Sequence, residues 1–155
     1  MWLTSDAFED GAAIPARFTC DGENLSPPLA WGDLPAGARS LALLCEDPDA
    51  PGGTFRHWAA FDIPADVAAL PEGASQDGGL TEAVNDFGAL GYGGPCPPPA
   101  DPPHRYVFRL LALSQPRLAL PARPSCRAVA RAAGAALLGE ATLTGLRARG
   151  RRARI

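Results

Sequence analysis

Lysine is absent from this chain: all 14 basic side chains are arginine, set against 17 Asp and Glu. That bias, with the abundance of Ala, Gly and Pro, points to a GC-rich bacterial genome rather than to a function. The net charge of −3 gives no electrostatic case for nucleic acid. Long apolar runs are also missing, so no stretch reads as a bilayer-spanning helix. The start, Met1-Trp2-Leu3-Thr4-Ser5-Asp6, has neither the basic segment nor the apolar core of an export signal, and the expected location is the cytoplasm. Cys20, Cys45, Cys96 and Cys126 contain no CxxC pair, and in that setting they read as free thiols. Histidine is scarce too, with only His57 and His104 in the whole chain.

What is present is a globular composition, 46% hydrophobic and 20% charged over 155 residues, read as a single domain spanning 1–155. Such a chain buries roughly two-thirds of its unfolded surface. Pro and Gly recur about every ten residues up to position 125, which favours short strands joined by turns. Strands are expected at Arg17–Cys20, Leu29–Trp31, Ser40–Cys45, Trp58–Ile63, Tyr106–Leu113 and Ala141–Leu146. Ser40–Cys45 is apolar on both faces and should lie centrally, covered above and below. Tyr106, Phe108 and Leu110 should share one face, with Val107, Arg109 and Leu111 on the other. One helix stands out, N-capped by Ser125, with Val129, Ala133, Ala136 and Leu137 at helical spacing. A weaker helical turn is suggested at Ala65–Leu70. The pattern is mainly β: two packed antiparallel sheets, a sandwich with a C-terminal helix.

Both histidines adjoin loops dense in Asp, Gly and Pro. His57 follows Asp47-Pro48-Asp49-Ala50-Pro51, and His104 follows Gly93-Gly94-Pro95-Cys96-Pro97-Pro98. Rigid loops of this kind can hold a small polar pocket open. The period of two places His104 and Tyr106 on one side of their strand. If the strands starting at His57 and His104 are neighbours, both imidazoles, Tyr106, Asp47 and Asp49 meet at one rim. Each group alone has a plainer reading. A histidine at a strand start commonly bonds backbone, Asp-Pro-Asp is turn chemistry, and Pro97–Pro99 is polyproline. Only their coincidence argues for a site. The basic C-terminus (Arg147, Arg149, Arg151, Arg152, Arg154) reads as a solvated end, with an anionic partner surface as the alternative.

These two signatures, Asp47-Pro48-Asp49-Ala50-Pro51…His57-Trp58 and Gly94-Pro95-Cys96-Pro97-Pro98…His104-Arg105-Tyr106-Val107-Phe108, closely resemble the phosphatidylethanolamine-binding protein family. That family includes the Raf kinase inhibitor proteins, and the likeness is nearest to its bacterial branch. Asn24–Trp31, Asp86-Phe87-Gly88 and the closing helix and strand also fit, so the resemblance covers nearly the whole chain. It implies a β-sandwich with a small anion pocket at one end, receiving phosphate, acetate or a phospholipid headgroup. Carried over by position, the pocket residues are Asp47, Asp49, His57, Gly94, Pro97, His104 and Tyr106, and the Ala50–Pro51 bond is expected to be cis. The Pro51–His57 loop is short where eukaryotic members carry an insertion, so their kinase-binding surface is not implied.

The leading expectation is therefore a metal-free, cofactor-free anion-binding protein. A regulatory or inhibitory role toward a kinase or protease is open, as are an unidentified protein partner and a homodimer. Imidazole N–H and Tyr O–H groups would donate to anionic oxygens, and Asp47 or Asp49 would orient an imidazole. Two other readings compete. Cys96 with His57 or His104 could form a hydrolase nucleophile pair, although prolines on both sides deny a following oxyanion donor. Two His and one Asp could form a facial metal triad, although no local ligand spacing supports it.

Overall fold

A computed structural model, which describes residues 1–149, places ten short elements along the chain. Strands β1 (Trp2–Thr4), β2 (Leu29–Gly32) and β5 (Ala69–Leu70) form a small antiparallel sheet in the order β1-β2-β5. Strands β3 (Ser40–Asp47), β4 (Phe55–Pro64), β6 (Thr81–Glu82), β7 (His104–Leu113) and β8 (Leu137–Arg147) form the main sheet in the order β6-β4-β3-β7-β8. Every pairing between these strands is antiparallel.

The all-apolar run of β3 puts it where expected, at the centre of the main sheet and covered on both faces. Leu41, Leu43 and Cys45 face the small sheet with Trp58, Tyr106, Phe108 and Leu110. Ala42 and Leu44 face helix α1 (Cys126–Ala135) with Leu111, Val129 and Ala133. Burying each large aliphatic side chain contributes about 1.5–3 kcal/mol, which is why a strand apolar on both sides settles there. Ser125 caps α1 by accepting from Ala128 N–H at 3.1 Å, a contact typically worth about 1 kcal/mol.

Several local expectations are corrected. Arg17–Cys20 is not a strand. A 3₁₀ turn over Ala16–Phe18 replaces it, because Phe18 and Thr19 N–H bond back to Pro15 and Ala16 carbonyls. Ala65–Leu70 is not helical either. After one turn closed by Val67 N–H on Pro64 O, the chain extends to pair Ala69 with Ala30. Leu137 leaves the helix to open β8 opposite Leu113. The Ala50–Pro51 bond is trans, since none of the described peptide bonds is cis. Trans is intrinsically favoured by about 0.5–1 kcal/mol, and Gly53 N–H closes the turn onto Ala50 O at 3.1 Å.

The cysteines give the largest correction. Cys20 and Cys96 form a disulfide across 76 positions, with Cα atoms 5.4 Å apart. Cys20 N–H also donates to Pro95 O at 3.0 Å, so backbone pairing brings the two thiols together. Cys45 and Cys126 are free and buried. Arg147 and Arg149 both lie 3.2 Å from Asp21, while Arg151, Arg152 and Arg154 fall outside the described residues.

Candidate functional site

Register along the main sheet decides which loop-borne groups meet. The end of β3 lies between the starts of β4 and β7, with Asp47 opposite Phe55 and Glu46 opposite Val107. The strand starts carrying His57 and His104 are therefore one strand apart at a single rim. There a cavity of about 130 Å³ opens, floored by Asp47, His57, His104 and Tyr106. Its walls are apolar: Pro51, Phe55, Phe87, Pro97 and Pro98, closed by Ala50 and Cys96.

The histidines are held by different partners. His57 Nδ1–H donates to Gly93 O at 2.6 Å, which fixes the ring and leaves Nε2 as its uncommitted nitrogen. His104 Nδ1–H donates to Asp47 Oδ2 at 2.7 Å, and its Nε2–H donates to Asp101 Oδ2 at 2.9 Å. Asp47 also accepts Asp49 N–H at 2.8 Å, so its carboxylate is fixed from two sides. Tyr106 lies between the rings, 5.3 Å from His57 edge-on and 6.3 Å from His104 by centroid.

These surroundings push the two imidazoles in opposite directions. Burial lowers the pKa of His57, only partly offset by its bond to Gly93 O, so the neutral ring is favoured. Burial also opposes the charge on His104, but hydrogen bonds to Asp47 and Asp101 outweigh it and raise its pKa. Tyr106 is raised by burial, with Asp47 adding to the effect, and stays a neutral hydroxyl.

Of the residues singled out in the sequence, Asp47, His57, Pro97, His104 and Tyr106 line the cavity. Asp49 turns away from it. Its carboxylate accepts from Arg105 N, Nε and Nη2 at 2.9, 3.0 and 2.8 Å, which lowers its pKa to about 2. Gly94 sits behind the wall, donating N–H to Asn24 Oδ1 at 2.9 Å. A Cβ there would lie 2.3 Å from Phe18 O, so only glycine lets these segments approach. Sequence reasoning missed Phe55, Phe87 and Asp101. The period of two could have placed Phe55 beside His57, and their rings are 4.9 Å apart. Phe87 is presented by a turn in which Asn85 Oδ1 accepts the Phe87 and Ala89 N–H groups.

The chain has known relatives. The family described as phosphatidylethanolamine-binding protein matches residues 4–148, almost the whole chain. The chain belongs to that family. Among related proteins, a Methanothermobacter thermautotrophicus protein designated UPF0098 is 48% identical over 154 residues, covering 97% of this chain and 100% of the relative. The crystal structure of Escherichia coli YbcL, described as a new member of the mammalian family, superposes with a TM-score of 0.89 at 33% identity, covering 95% of this chain and 97% of that one. LppC of Mycobacterium tuberculosis is 41% identical over 145 residues, covering 94% of this family member and 71% of LppC. Within the described residues of the present member, no helix is long and apolar enough to cross a membrane.

Proposed function

We propose that this protein binds a small anion, a phosphate, acetate or phospholipid headgroup, in the cavity between His57 and His104. Membership in the family supports a ligand-binding protein of this fold. The observation that carries the anion reading is the convergence of His57, His104 and Tyr106 on one cavity, with Asp47 orienting His104. Imidazolium and phenol groups give strong, charge-assisted donation to carboxylate or phosphate oxygens in such a setting. Asp47 disfavours a bare dianion, so a singly charged or zwitterionic ligand suits the seat best. The apolar walls of Phe55, Phe87 and prolines accommodate a short carbon substituent beside it.

The competing hydrolase reading loses its nucleophile, because the Cys96 sulfur is bonded to Cys20. The disulfide also removes the free-thiol support for a cytoplasmic location, since such bonds persist in oxidising compartments.

Protonation of His57 sets the expected pH dependence. The empty ring favours the neutral form, and a bound anion stabilises the charged one, so binding takes up a proton. Affinity for acetate should fall as pH rises through the raised histidine value of the complex. Titration calorimetry should show tighter acetate binding at about pH 5.5 than at about pH 8, a range over which acetate stays largely ionised. A His57→Ala/His104→Ala variant should lose most of that difference. Equal affinity at both pH values would contradict the reading.

A further inference from the structure

His104 has two ring N–H groups, and both are already spent on carboxylates of the chain itself. Asp47 takes Nδ1 and Asp101 takes Nε2. The two partners differ in how firmly they are held. The Asp47 side chain is 4% exposed and also accepts from Asp49 N–H, so it belongs to the frame. The Asp101 side chain is 33% exposed, and its backbone is pinned only by a turn, N–H to Pro98 O at 3.1 Å. We propose that Asp101 is a tethered ligand of this pocket, its carboxylate filling at His104 Nε2 the place that an incoming carboxylate or phosphate monoester would take.

This rests on the anion reading of the cavity and adds to it a self-occupied state. Asp101 is separated from His104 by Pro102 and Pro103 alone. Two fixed φ angles make that tether short and stiff, which keeps the carboxylate at a high effective concentration. The upstream end is equally well anchored. Pro98 lines the cavity, and Cys96 is fastened to Cys20 two residues before it. The occupant of the seat is itself a carboxylate, which identifies the chemistry an external ligand must match. An anion gains a contact with His104 only by breaking one, so apparent affinity is reduced by the fraction of molecules in which Asp101 is seated.

Calorimetry of Asp101→Ala and Asp101→Asn against the parent tests this, with acetate and methyl phosphate as separate probes. If Asp101 is seated in about nine molecules of ten, Asp101→Ala should bind about tenfold tighter. The gain should be smaller in Asp101→Asn, whose amide oxygen can still accept from Nε2–H. A gain with both probes supports a seat shared by carboxylates and phosphates, and a gain with acetate alone supports a carboxylate-selective one. The direct readout is carboxyl-carbon NMR, in which saturating acetate should shift the Asp101 resonance of the parent. A charge acting only at a distance would leave that resonance in place and overturn the proposal. Parent and variants binding alike would overturn it too, while leaving the anion site intact. Failure of all three proteins to bind either probe would overturn the anion reading and this inference together.

Discussion

Breaking the Cys20–Cys96 bond should lower the melting temperature by roughly 10 °C. The bond closes a loop across 76 positions, and a closure of that length restricts the unfolded chain by about 4 kcal/mol in the chain-entropy account. In a domain of this size each kcal/mol moves the transition by roughly 2–4 °C. A Cys20→Ser/Cys96→Ser variant should melt at the same temperature with and without reductant. The parent should reach that lower value only when reduced. Calorimetry showing parent and variant melting together under oxidising conditions would contradict the pairing. The stabilisation also serves the site, because Cys96 lines the cavity and Cys20 N–H holds Pro95 O.

Asp47→Ala should cost about 3 kcal/mol of folding stability and most of the acetate affinity. The carboxylate is 4% exposed and bonds both His104 Nδ1–H and Asp49 N–H. Removing one partner of a buried ion pair commonly costs about 3–5 kcal/mol. The lower end applies because Asp101 still faces the ring. The pH dependence carries a sign. His104 has a raised native pKa, so its pairing stabilises the fold fully below the unfolded value of about 6.5. That contribution is lost as pH rises through the native value. His57 acts oppositely, since its lowered native pKa makes the fold less stable as pH falls through about 6.5. Denaturant unfolding of both proteins across this range separates the two, because Asp47 bonds the His104 ring directly, whereas burial dominates at His57 and Asp47 acts there only as a nearby charge. A loss below about 1 kcal/mol, with an unchanged pH profile, would contradict the role given to Asp47.

Much of this architecture was legible because it depends on local pattern. The apolar run of β3 required cover on both faces, the alternation of β7 set which side Tyr106 takes, and Ser125 announced the helix start. The same period of two puts His104 and Tyr106 on one side of their strand, while the meeting of His57 and Asp47 with them at one rim depends on which strands are neighbours. What escaped depends on contacts between distant segments. The partner of Cys96 lies 76 positions away, and no spacing rule links the two. Asp49 looked equivalent to Asp47 in Asp-Pro-Asp, yet Arg105 on the neighbouring strand draws it outward. The 3₁₀ turn at Ala16–Phe18 overrides a strand-like stretch because Phe18 must reach the core and Thr19 closes the turn. Asp101 carries no signal in the sequence, since only the folded segment shows its carboxylate bonded to His104 Nε2.

The most direct test of the anion seat is a crystal structure of the protein grown in acetate or phosphate. Density for the anion is predicted inside the cavity, within hydrogen-bond distance of His57 Nε2 and His104, with Asp101 moved off the His104 ring. A cavity holding only water at saturating anion, with the Asp101–His104 contact intact, would contradict the account.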